Sequence, residues 1–251
     1  MIYFVGAGPG DPELITVKGA RILSRVQVVV YAGSLVNKEL LDMCAPGTVI
    51  YNSAGMTLEE ITDTMTEAHR AGKEVVRLHT GDPSLYGAIQ EQMDILDRLS
   101  VPYTVIPGVS SFLAAAAAIP HELTLPGITQ TVILTRMEGR TPMPERESIA
   151  SLASHRATMC IFLSVHMLDK LTGALTDGGY PAETPAAVVE KASWPDERVI
   201  TGTLADIAGK VHEAGIRRAA MIIVGDALKA GYRPSCLYDP GFTHGFRGDA
   251  N

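Results

Sequence analysis

Three short segments of this sequence combine glycine with residues able to hold a polar ligand. Gly6-Ala7-Gly8-Pro9-Gly10-Asp11-Pro12 places glycines where a backbone can approach a bound molecule without Cβ obstruction. Thr80-Gly81-Asp82-Pro83, followed by Leu85, Tyr86 and Gly87, sets a carboxylate beside a turn. Pro107-Gly108-Val109-Ser110-Ser111 offers two hydroxyls that could cap a helix or hold a ligand. Each segment also has a plainer reading. The first is equally a tight strand-to-helix turn, and Asp82 equally the N-cap of a helix expected over about 86–99. A dinucleotide fingerprint does not fit. Pro9 and Pro12 remove amide donors that a pyrophosphate cradle would use, and no acidic residue ends the second strand, which closes at Tyr31. Nicotinamide and flavin cofactors are therefore not expected.

The elements that must position these segments follow from hydrophobic patterning. Short apolar runs at 2–5, 27–31, 49–51, 74–79 and 103–106 alternate with helical stretches, which predicts a parallel α/β sheet. All three segments then follow strands 1, 4 and 5, at the carboxyl ends where open α/β sheets bind ligands. In the 58–71 stretch Leu58, Ile61, Met65 and Ala68 recur at helical spacing, with Glu59, Glu60, Asp63 and Glu67 opposite. Thr57 and Glu60 form a capping-box pattern at its start. Past a small-residue helix at 112–119, Pro120, Pro126 and Gly127 break regular structure, so two α/β domains are expected, 1–119 and 120–251. The second holds strands near 131–135, 158–163, 186–190, 199–202 and 220–224. Its sheet is expected to be mixed, because only a short Pro/Asp/Glu segment separates 186–190 from 199–202, as in a hairpin. The tail from Tyr232 reads as irregular.

Composition excludes several classes of function. The 251 residues carry a formal charge of -7, against any partner bound through neutralised phosphates, so nucleic acid is not expected. The longest apolar runs, 112–120 and 160–165, are far shorter than the roughly 20 residues of a membrane span. No cationic segment opens the chain, so a cytoplasmic location is expected. Cys44, Cys160 and Cys236 suit neither a disulfide framework nor a thiolate metal site. His79 is left between a ligand-facing and a core position, and His121, His166 and His244 are too dispersed for a metal. No protein-bound metal is expected.

The three loops, together with Pro185-Ala186-Ala187-Val188-Val189-Glu190 and Gly202-Thr203-Leu204, resemble the tetrapyrrole methyltransferase family in order and spacing over residues 1 to about 230. That resemblance implies two α/β domains with S-adenosylmethionine in the cleft between them, and a homodimer. Carried over position by position, it implies cofactor contacts at Pro9, Gly81, Asp82, Leu85, Tyr86, Ser110 and Ser111. In the second domain it implies Phe162 and Leu163 near the adenine, where relatives carry an aromatic-Met pair, with Ala186, Ala187, Ala220 and Met221 completing the pocket. Each of these last four is equally a plain core strand residue.

The segment Ile133-Leu134-Thr135-Arg136, followed by Glu138-Gly139-Arg140-Thr141-Pro142 and Pro144-Glu145, resembles the family branch that methylates a precorrin at carbon 11. Such macrocycles bear several carboxylates, and arginine forks bind carboxylates in two-pronged fashion. Arg136, Arg140 and Arg146 are therefore the expected substrate contacts. Glu138, Glu145 and Glu147 could equally neutralise them as a solvated surface segment. Asp82 and Arg136 are the candidates for a proton acceptor or an electrostatic partner of the macrocycle. Another tetrapyrrole carbon, a protein side chain as in diphthine synthases, or a non-catalytic S-adenosylmethionine sensor remain the alternatives.

Overall fold

The computed structural model describes residues 1–229, 231, 234–236, 239 and 241–243. His244 and the start of the tail at Tyr232 lie outside the described residues. The chain divides into two compact units. Unit 1 is Met1–Ala115 with Lys191–Glu197; unit 2 is Ala116–Glu190 with the chain from Arg198 onward.

Unit 1 alternates strands and helices: β1 (Ile2–Gly6), α1 (Val17–Leu23), β2 (Val28–Tyr31), β3 (Val49–Asn52), α2 (Leu58–Arg70), β4 (Val75–His79), α3 (Gln90–Arg98), β5 (Tyr103–Ile106) and the start of α4 (Ser111–Ala118). Its five strands are all parallel in the order β3-β2-β4-β1-β5. Side chains alternate across the pleat, so Ile2, Phe4 and Val75 pack with Met65 of α2 and Leu96 of α3 on one face. Val5, Val29, Val76 and Leu78 pack with Ile22 and Leu23 of α1 on the other. Burial on both faces explains why β2 reads as an unbroken apolar run. The α2 capping box forms as expected: Thr57 Oγ1 accepts from the Glu60 amide, and the Glu60 carboxylate accepts from the Thr57 amide. Removing such a cap costs about 1 kcal/mol.

One helix differs from expectation. The structure begins α3 at Gln90, not near Tyr86, because Tyr86 (φ 55°) and Ala88 (φ 48°) take left-handed backbone that a right-handed helix cannot include.

Unit 2 continues α4 and adds β6 (Val132–Arg136), α5 (Ile149–Ala153), β7 (Thr158–Phe162), α6 (Leu168–Asp177), β8 (Pro185–Glu190), β9 (Arg198–Thr203), α7 (Ile207–Glu213) and β10 (Ala220–Val224). Its sheet, ordered β6-β7-β10-β8-β9, is mixed: β6 and β7 are parallel, and the other three pairings are antiparallel. The expected β8–β9 hairpin is present, and an Arg198–Glu190 ion pair at 2.6 Å closes it. The core lies where Met159, Ile161, Val188 and Ile222 meet Leu168, Leu171, Leu175, Ile207 and Val211.

Candidate functional site

In unit 1 the order β4-β1-β5 puts the three glycine-bearing loops side by side at the carboxyl ends of adjacent strands. The backbones of the loops after β1 and β4 are joined directly. Gly81 N–H donates to Gly8 O at 2.8 Å and Gly8 N–H to Gly81 O at 3.3 Å. Such approach excludes side chains: a Cβ on Gly108 would lie 2.2 Å from Gly81 O, and one on Gly6 would lie 2.6 Å from Gly108 Cα.

Asp82 has the role of a staple. One carboxylate oxygen accepts from Ser84 N–H at 2.8 Å and the other from Gly108 N–H at 2.9 Å. It therefore ties the loop after β4 to the loop after β5, and it caps no helix, since α3 starts eight residues later. Leu85 follows within this turn, its amide donating to Asp82 O at 3.2 Å. Tyr86 is exposed, held in the left-handed conformation noted above. Ser110 is buried and its carbonyl starts α4, accepting from Leu113 N–H at 3.0 Å; Ser111 is half-buried. Pro9, Gly81, Asp82, Leu85, Tyr86, Ser110 and Ser111 thus gather at one end of one sheet.

The loop after β1 is clasped by residues that sequence reasoning did not single out. Asn37 Nδ2 donates to Gly10 O at 2.9 Å, and the Trp194 indole N–H donates to Pro9 O at 3.0 Å. Ser193 Oγ accepts from Asp11 N–H at 3.0 Å. The one available signal was composition: Trp194 is the only tryptophan in the chain, set in a polar hairpin connection.

Beneath the loops, β4 carries two buried nitrogenous side chains. Arg77 donates to Gln92 Oε1 (3.0 Å), Ser53 Oγ (2.9 Å) and Val30 O (3.2 Å). No carboxylate is among these partners, and burial lowers its guanidinium to about 10. His79 is 3% exposed and lies near the Phe4 ring, at a centroid distance of 6.2 Å, and its Nε2 has no hydrogen-bond partner. Burial, aided by the positive charge of Arg77, pushes its imidazole down to about 3. A neutral core histidine results.

In unit 2 the register sorts the remaining candidates. Arg136 pairs with Phe162 across β6–β7, and continuing the β7–β10 ladder sets Phe162 beside Met221 and Leu163 beside Ala220. These residues share one end of the sheet. Ala186 and Ala187 do not join them: they pair with Val224 and Ile223, so Ala187 lies three residues along β10 from Ala220, about 10 Å. Both alanines are buried in the strand. Leu163 is 60% exposed and adopts φ 55°, an apolar side chain held outward by a strained backbone. Ser164 fixes that turn, donating to Phe162 O at 2.6 Å and accepting from Met137 N–H at 2.8 Å.

Arg136 spends its guanidinium on its own loop, reaching Met137 O, Thr141 O and Pro142 O at 3.2–3.3 Å. Arg140 and Arg146 are exposed on the segment that Arg136 organises. Among the described residues no group of three or more His, Cys, Asp or Glu side chains could hold a metal, and no helix is long and apolar enough to cross a membrane. Cys44, Cys160 and Cys236 are free, and burial raises the Cys160 thiol to about 12, which makes it inert.

Comparison with known proteins gives a consistent picture. Residues 1–208 match the tetrapyrrole (corrin/porphyrin) methylases. A cobalt-precorrin-4 C(11)-methyltransferase of Methanocaldococcus jannaschii is 56% identical over 98% of this chain and 95% of its own length. The X-ray structure of a cobalt precorrin-4 methyltransferase, a cobalamin biosynthetic enzyme, superposes with a TM-score of 0.89 at 50% identity, covering 91% of this chain and 95% of that one. A uroporphyrin-III C-methyl transferase from Thermus thermophilus, solved in complex with S-adenyl homocysteine, superposes with a TM-score of 0.76 at 32% identity, covering 91% and 93%.

Proposed function

The chain belongs to the tetrapyrrole (corrin/porphyrin) methylase family, and from that membership we propose that it methylates carbon 11 of precorrin-4, or of its cobalt form, in cobalamin biosynthesis, with S-adenosylmethionine as donor. The observation that carries this reading is the near full-length likeness to a cobalt-precorrin-4 C(11)-methyltransferase.

The residues present suit such a donor. Accounting for the amides of the loop after β1 leaves one without a partner: Ala7, Gly8 and Asp11 N–H donate within the protein, Pro9 has none, and Gly10 N–H is buried with no partner among the described residues. A buried orphan amide at the carboxyl end of a parallel strand fits a polar ligand group. Ser110, Ser111 and the exposed Tyr86 add hydroxyls at the same sheet end, and Leu85 adds apolar contact.

When bound, the cofactor supplies a methyl already activated on a sulfonium, so the protein needs no covalent nucleophile. What the chain must provide is alignment, which can be worth about 7–11 kcal/mol. Asp82 serves alignment by holding two loops in register, and with both oxygens committed to amides it acts as a positioning group instead of a proton acceptor. Arg136 likewise shapes the 137–142 loop, which presents Arg140 to substrate carboxylates, with the exposed Arg146 following it in the chain. Leu163, with Phe162, Ala220 and Met221 at its sheet end, offers an apolar surface for a flat ligand. A homodimer acting in the cytoplasm is part of the same proposal, supported by the family resemblance; light scattering tests the assembly.

Labelled S-adenosylmethionine is offered with metal-free precorrin-4, cobalt-precorrin-4 and uroporphyrinogen III, and NMR locates any new methyl group. Methyl at carbon 11 of either precorrin-4 form is the expected result and selects the form used. Methylation of uroporphyrinogen III alone, or of none of the three, overturns the reading. Arg140→Ala and Arg146→Ala should each raise KM for the tetrapyrrole about 2–10-fold and leave S-adenosylhomocysteine affinity unchanged, more so at low salt.

A further inference from the structure

We propose that Trp194, with Ser193, is a positioning residue for the cofactor loop, holding Pro9–Asp11 so that Gly10 N–H is presented to the ligand. The inference rests on the methyltransferase reading and deepens it by adding residues from a distant part of the sequence.

Three observations converge. The Trp194 indole and Ser193 hydroxyl bond the residues on either side of Gly10, at Pro9 O and Asp11 N–H. Gly10 itself is in contact with the ring: a Cβ there would lie 2.1 Å from Trp194 Cδ1 and 2.2 Å from Nε1. Glycine is thus required at position 10 to admit the indole, and no positive φ is recorded there that would demand it for backbone reasons. Finally, the clasp segment is itself shaped for the task. Ser193 takes left-handed backbone (φ 67°), its amide is held by Glu197 Oε2 at 2.6 Å, and Lys191 pairs with Asp196.

With Pro9 O taken by the indole and Gly10 O by Asn37, both carbonyls flanking the Gly10 amide are fixed. Rotation of the 9–10 or 10–11 peptide planes would break one of these bonds. Release of the indole frees the first plane, and the loop then loses ligand affinity through disorder, without loss of any direct contact.

Because Trp194 is the only tryptophan, its emission reports this contact alone. The test uses the purified full chain, calorimetric titration with S-adenosylhomocysteine, and indole emission of the wild type. Trp194→Phe keeps ring packing and loses the N–H donor, and should weaken S-adenosylhomocysteine binding about 2–10-fold. Gly10→Ala should weaken it at least as much by expelling the ring, yet cost nothing further in a Trp194→Ala background, since there is then no ring to expel. Saturating ligand should shift wild-type emission. An unchanged Kd in Trp194→Phe, additive effects of the two substitutions, or emission blind to ligand overturns the positioning role and leaves the methyltransferase reading standing. Absence of S-adenosylhomocysteine binding by the wild type overturns both.

Discussion

The two sheets solve the problem of gathering ligand-type residues in different ways. In unit 1 every strand runs in the same direction, so every strand exit lies at one end, and adjacent β4, β1 and β5 deliver three loops to one place. Backbone-to-backbone bonds join the first two, the Asp82 carboxylate ties in the third, and the close approach of all three backbones is why glycine recurs there. In unit 2 the strands run both ways, and the exits of β6 and β7 share an end with the entry of β10, while the entry of β8 lies at the other. Loops there are fixed by the Ser164 and Arg136 side chains, which reach backbone groups close by in sequence. A parallel sheet brings its exits together by topology alone; a mixed sheet needs the register to say which residues meet.

The largest effect should come from attacking the locked backbones of unit 1. Gly108→Ala must push a Cβ against Gly81 O, and we expect a loss of about 3 kcal/mol in denaturant unfolding, with S-adenosylhomocysteine binding abolished. An alanine variant of wild-type stability would show that the three loops are not locked.

Acid should also separate the units. His79 has a depressed folded-state pKa, so between its unfolded value near 6.5 and about 3 the unfolded chain binds the extra proton and stability falls as pH drops. The loss is on the order of 1.4 kcal/mol per pH unit across that window. By contrast, Cys160 and Tyr180 of unit 2, both raised to about 12, stay neutral throughout it. Urea unfolding followed by Trp194 emission, which reports unit 1, should show the slope, and His79→Leu should flatten it.

Smaller and more specific is the staple. Asp82→Ala strands the Gly108 and Ser84 amides and should cost about 1–3 kcal/mol. Asp82→Asn, which retains one acceptor oxygen, should restore part of the stability, whereas equal losses in both variants would point to the charge as the needed feature. The smallest expected effect lies in unit 2, where a Cβ at Gly209 meets nothing within 4 Å in α7. Gly209→Ala should add about 0.5–1 kcal/mol, the reverse sign of the glycine change in unit 1.

Much of this was legible in the sequence for identifiable reasons. Strands buried on both faces announce themselves as apolar runs, and the Thr57–Glu60 box marks a helix start through chemistry local to four residues. The β8–β9 hairpin followed from the shortness of its connection. What was not legible depended on backbone or on long-range contact. Left-handed Tyr86 and Ala88 delay α3, and neither residue type signals that conformation. Asp82 reads as a cap by position, yet its second partner, Gly108, is 26 residues away. Ala186 and Ala187 are placed by strand register opposite Val224 and Ile223, a pairing that no local motif states. The Trp194 clasp spans 185 residues, beyond the reach of any local pattern.

That last separation bears on how the protein is made. Lys191–Glu197 belongs with the N-terminal sheet but is synthesised only after the entire Ala116–Glu190 stretch. At roughly 5–20 residues per second, the nascent N-terminal sheet waits on the order of ten seconds for the indole that holds its first loop. During that interval Pro9 O and Asp11 N–H lack their late-arriving partners. The loop after β1 is therefore completed only after β6, β7 and β8 have been made, and a chain stalled within the second sheet carries all three glycine loops without the clasp.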